Sequence, residues 1–145
     1  MKSIPFSLTI AALFFLAGCG DNAVDSHAID RETKAYESAA VQAMDTKELV
    51  AHIQGLAREM TLVTQSKQYA EMHHLEIALT KALIALEGQL SPEDAPTLKP
   101  IIETLKIIAA KIHGVGHDRN QSMAATLDKT LTDYAARLQR ALERA

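Results

Sequence analysis

Four histidines in two short stretches are the residues of this chain best equipped for chemistry: the pair His73-His74, and His113 with His117. Imidazole nitrogens ligate Cu, Ni, Co and Zn, and the four-residue spacing of His113 and His117 suits chelation if a helix continues through the glycines around them. Glu71, Met72 and Glu76 lie beside the first pair, and Met123 follows the second, adding carboxylate and thioether donors. A divalent transition metal is the ligand such a set implies, and haem b held by two imidazoles is the more distant one. A plainer reading stands beside it. His73 shares a helical stripe with Ile77, Thr80 and Ile84 and is then an interface residue, His113 caps the last carbonyls of its helix, and His117 occupies a glycine-rich turn. His52 maps opposite Lys81, far from the others, as a boundary residue.

Other chemistries find no footing. The sequence holds no Gly-x-Ser-x-Gly, no phosphate-binding loop, no His-Glu-x-x-His and no Cys-x-x-Cys-His, and an enzyme is not expected. Glu93 and Asp94 are adjacent in a proline-rich loop and read as solvated turn residues. The formal charge of −3 and a pI near 6.0 remove the electrostatic case for nucleic-acid binding. Cys19 is the only thiol, so no disulfide framework is available.

Cys19 has another use. Met1 and Lys2 form a short positive start, and Ile10-Ala11-Ala12-Leu13-Phe14-Phe15-Leu16 closes an apolar stretch too short to span a bilayer, followed by small residues. The run Leu16-Ala17-Gly18-Cys19 resembles the lipobox of bacterial lipoproteins. That resemblance implies removal of residues 1–18 and a thioether-linked diacylglyceryl group, with palmitate-type acyl chains, on Cys19. It also implies a membrane anchor facing the periplasm, and Gly20 in place of an Asp after the Cys points to the outer rather than the inner membrane. From Gly20 to Met44 there is no sustained apolar periodicity, so 19–44 is expected to be the lipidated Cys and a flexible tether.

The remainder must position the histidines. With 48% hydrophobic residues, only 4% aromatic, six Gly and four Pro in 145 residues, the composition favours helices over a sandwich or barrel. Asp45-Thr46-Lys47-Glu48 reads as a capping box, and Leu49, Ile53, Leu56, Met60 and Val63 follow at helical spacing over 45–63. Met72, Leu75, Leu79, Leu83, Leu86 and Leu90 are out of phase with that series, which places a turn at 64–68 and a second helix over 69–90; the alternative is one helix over 45–90. Pro92 and Pro96 end the second helix, and Pro100 suits the first turn of a third over 99–113, read as the most buried and as stopped by Gly114 and Gly116. Asp118-Arg119-Asn120-Gln121 reads as the capping box of a fourth helix, 119–144, carrying Met123, Leu127, Leu131, Tyr134, Leu138 and Leu142. Short connections imply an all-α, up-down-up-down antiparallel four-helix bundle over 45–145. In that topology the first and third turns share an end, which gathers the four histidines there.

Two further resemblances bear on function. The bundle and export signal are similar to small periplasmic haem proteins of the cytochrome b562 type, which use a Met on the first helix and a His on the last. The fourth helix here has no His, so that pair does not carry over, and His74 with His113 would have to serve instead. The stretch Met72 to Leu83 resembles short exported helical proteins of unknown function. The functions to be weighed are a non-catalytic lipoprotein whose helices bind a partner protein or a second copy through Ile77, Ile84 and Ile107, a metal or haem carrier or sensor, and a periplasmic holdase.

Overall fold

The computed structural model describes residues 39–144; the expected signal segment 1–18, Cys19 and residues 20–38 of the expected tether lie outside them. A 3-10 turn, Val41–Ala43, leads into α1 (Thr46–Ser66), α2 (Glu71–Gly88), α3 (Ala95–Asp118) and α4 (Gln121–Leu142). Each helix packs on its chain neighbours, and α4 closes the square against α1. The pairings run antiparallel. Thr61 Oγ1 donates to Asp128 Oδ1 at 2.7 Å and Gln54 pairs with Gln139 across α1 and α4, while Lys106 Nζ reaches Glu87 Oε2 at 2.6 Å across α3 and α2. This is the expected all-α, up-down-up-down four-helix bundle.

The start of α1 is the capping box its sequence promises. Asp45 Oδ1 accepts the Glu48 N–H at 2.8 Å, and the Asp45 N–H donates to Glu48 Oε2 at 2.8 Å, so two orphan donors are satisfied at once. The phase change near residue 66 is a true break. Lys67 turns left-handed at φ 57°, and the Gln68 N–H returns to the Val63 carbonyl at 3.1 Å, which rules out a single helix over 45–90.

Three expectations are corrected. The third helix begins at Ala95, because Ser91 and Asp94 organise the loop: Ser91 Oγ donates to Asp94 Oδ2 at 2.7 Å and accepts the Asp94 N–H at 3.0 Å, while the Asp94 carbonyl takes the Leu98 N–H at 2.9 Å. Pro96 fits the first turn, and Pro100 sits inside the helix, its lost hydrogen bond outweighed by burial of Leu98 and Ile102. The same helix does not stop at 113. Gly114 and Gly116 keep helical backbone, and the break comes at Arg119, left-handed at φ 50°, with Asn120 Oδ1, not Asp118, capping the Met123 N–H at 3.0 Å. The expected tether also ends sooner than 44: Val41 is buried, Ala39 and Met44 pack against the core, and Gln89 Nε2 holds the Met44 carbonyl at 2.8 Å.

Among the described residues one apolar core runs from Val41 to Leu138. The most buried helix is α2, with nine buried residues in 18, and not α3, with seven in 24. Met123 of α4, expected on the buried face, is exposed, and Ile107 of α3, expected outside the core as an interface residue, is exposed as well.

His52 contributes a pH dependence. Its Nε2 is buried with no hydrogen-bond partner among the described residues, and burial holds the imidazole below its ordinary range. The unfolded chain therefore takes up the proton first as pH falls below 6.5, so stability is full above that value and declines through it until the folded imidazole also titrates. His52→Gln is expected to flatten the slope of unfolding free energy over that window. An unchanged slope would show that other groups carry the acid response.

Candidate metal centre

The far end of the bundle, where α1 turns into α2 and α3 into α4, carries the histidines. His73 lies in the first turn of α2 and His113 near the end of α3, and the antiparallel register sets them side by side, Nδ1 to Nδ1 at 3.1 Å. The ring centroids are 5.0 Å apart, so each ring turns its Nδ1 toward the other. Glu76, one turn along α2 from His73, faces both: its Oε2 lies 3.9 Å from His73 Nδ1 and 3.7 Å from His113 Nδ1. These three side chains form a cluster able to hold a metal ion.

The dimensions fit an ion. For a triangle with edges of 3.1, 3.7 and 3.9 Å, the point equidistant from the corners lies about 2.1 Å from each. Zinc bonds to imidazole nitrogen and carboxylate oxygen are about 2.0–2.2 Å. The two Nδ1 atoms are within hydrogen-bond distance of each other, one donating to the other when the tautomers are complementary, and the Glu76 carboxylate lies beside them. Thr80 Oγ1 donates to Glu76 Oε1 at 3.4 Å, a long bond that biases the carboxylate to present Oε2 to the histidines. The group is partly sheltered: the His73 and Glu76 side chains are about one-quarter exposed, and His113 is 42% exposed.

His117, one turn past His113 on the extended α3, brings its ring centroid to 4.7 Å from that of His113. It is exposed at the rim, outside the triangle. His74 is placed differently. It is buried at 4% exposure, and the Nδ1 contact across to α3 is made by its neighbour His73, so the pairing of His74 with His113 is replaced by His73 with His113. Of the interface candidates, Ile77 is half-buried, whereas Ile84 and Ile107 are 56% and 57% exposed. Glu76, expected as a donor beside the first histidine pair, joins the cluster, and Thr80 is the residue whose part in the site sequence reasoning did not single out. The signal for Glu76 was its three-residue spacing from His73, which sets both on one face.

Gly116 fixes how closely α3 approaches the start of α2. A Cβ there would stand 3.1 Å from the Tyr69 carbonyl oxygen and 3.2 Å from Met72 Cβ, whereas one at Gly114 would meet nothing within 4 Å. Gly114→Ala is expected to stabilise the domain by about 0.5–1 kcal/mol, the usual helix-interior gain. Gly116→Ala should forfeit that gain, because the α3 backbone must move off Tyr69. Thermal melts of both variants check this, and equal stabilisation would show the contact to be soft.

Comparison of the chain with protein-family models, curated proteins and solved structures finds no match in any of the three. Among the described residues, no helix is long and apolar enough to cross a membrane.

Proposed function

We propose that this is a non-catalytic, lipid-anchored protein of the bacterial envelope whose bundle binds a divalent transition metal through His73, Glu76 and His113, as a carrier or sensor. The observation that carries the metal reading is the convergence of two imidazole nitrogens and a carboxylate oxygen around a point about 2.1 Å from each. Two nitrogens and one oxygen suit borderline ions such as Zn, Ni, Co and Cu, and a rim position leaves the ion exchangeable. The anchor is supported by Leu16-Ala17-Gly18-Cys19 behind an apolar export segment.

The test is a titration of the purified protein with each of these ions, followed by thermal unfolding. A site occupied at a hundredfold excess over its dissociation constant adds about 2.7 kcal/mol of stability. His113→Ala is expected to remove most of the metal-induced rise in melting temperature, while His52→Ala leaves it intact. No saturable stabilisation, or equal loss in both variants, would overturn the proposal. A separate reading, self-association through Ile84 and Ile107, draws on their exposure and is tested by sedimentation of the wild-type chain.

A further inference from the structure

The bundle end opposite the histidines collects positive charge in one groove. Arg137 and Arg140 on α4 and Arg144 just past its end, together with Thr97, Ile101 and Ala141, line an open groove of about 500 Å³ between α3 and α4. The Arg137 guanidinium lies 4.8 Å over the Tyr134 ring, and the Arg144 Nε donates to the Arg140 carbonyl at 3.1 Å. No carboxylate pairs with any of the three among the described residues. Of the acidic side chains near this end, Asp45 and Glu48 stand at the start of α1, Glu143 lines the groove between α1 and α4, Glu93 and Asp94 lie in the loop before α3, and Asp133 is one turn before Arg137; none of them lines the groove that holds the three arginines. In a chain of net charge −3, this is a local reversal of sign.

The chain also enters the bundle at this end. Gln89 Nε2 clips the Met44 carbonyl here, and the described residues begin at 39, so only residues 20–38 separate Cys19 from the bundle. Nineteen residues reach at most about 65 Å, which keeps an anchored domain close to its membrane with the arginine end on the tethered side. The three arginines span about 10 Å along the α4 axis, which matches an array of phosphates better than one small anion. Ile101 and Ala141 give the groove an apolar floor, and Tyr134 with Arg137 is a pairing suited to the boundary between headgroups and water.

We infer that the α3/α4 groove docks the anionic phospholipid headgroups of the membrane that carries the anchor. This rests on the anchoring part of the proposed function and is independent of the metal site. Docking would fix the bundle upright, with the histidine end facing away from the lipid.

The experiment uses the non-lipidated chain from Gly20 to Ala145, which keeps every described residue, and vesicles of phosphatidylcholine alone or with one-third phosphatidylglycerol. Binding should require the anionic lipid and weaken with salt. Arg137→Gln with Arg140→Gln and Arg144→Gln should reduce it roughly a hundredfold, each arginine near a charged surface being worth about fivefold. Circular dichroism verifies that the helices persist, and Arg58→Gln with Lys111→Gln and Lys129→Gln, the same charge change elsewhere, should retain binding. Equal loss in both triple variants, or equal binding to both vesicles, overturns the inference. Release by millimolar inorganic phosphate at constant ionic strength also overturns it, reassigning the groove to a soluble anion. Docking without lipid on the native protein would remove the anchor alone, and a lipidated protein with no anionic preference would remove the docking alone.

Discussion

Cys19→Ser is expected to move the protein out of the membrane fraction and abolish incorporation of labelled palmitate. Cys19 is the only thiol in the chain and so the only residue able to form the proposed thioether to a diacylglyceryl group, and a serine hydroxyl in its place is far less nucleophilic at neutral pH. The effect is large because anchoring is additive along the chains: each buried methylene contributes about 0.8 kcal/mol, and two or more acyl chains hold where a single myristoyl chain gives only marginal binding. Headgroup contacts through the arginine groove are weaker and salt-sensitive, so washing the variant's membranes in high salt should leave almost none of it bound. Wild-type protein recovered free of lipid label in the soluble envelope fraction would overturn the anchor.

The second large effect is in the core. Leu83→Ala should cost about 2–5 kcal/mol, because Leu83 is fully buried in the middle of α2 and the helices around it can close the resulting cavity only in part. That is a large share of the about 5–15 kcal/mol that holds a domain of this size together. Leu83→Met, which nearly conserves volume, should cost less than about 1.5 kcal/mol. Ile107→Ala, at a position 57% exposed, should stay within about 0.5 kcal/mol. Denaturant unfolding with a common slope measures all three, and a comparable loss for Ile107→Ala would mean that its face is covered in solution by another molecule.

What the sequence made legible was periodicity and local capping. The Leu49 to Val63 and Met72 to Leu86 series are the buried faces of α1 and α2, and the Asp45 and Glu48 box is formed as its residue types require, since both effects depend on neighbours three or four residues away. That the His73-His74 pair comes to the same end of the bundle as His113 followed from antiparallel topology, a long-range fact that short turns make readable. The failures share another cause. Gly114 and Gly116 looked like stops because glycine is a poor helix former, yet tertiary packing of Ile112 and Val115 carries α3 through them. Choosing His73 over His74 depended on which way α2 is rolled about its axis, a rotation set by the burial of Met72, Leu75 and Leu79, and the convergence of Glu76 depended on side-chain reach that spacing alone does not specify.

The square arrangement of the bundle has a consequence for how the chain acquires it. Three of its four helix interfaces join elements adjacent in the chain, and only that between α1 and α4 spans nearly the whole domain. Such local connectivity corresponds to fast, microsecond-to-millisecond assembly. A chain emerging N-terminus first can pair α1 with α2 and then α2 with α3 as each appears. The last event is the docking of α4, whose Leu127, Leu131 and Leu138 must seal the faces left open by α1 and α3. Until it does, those two faces offer apolar surface to any neighbour, so the interval before α4 arrives is when this protein is most exposed to aggregation or proteolysis.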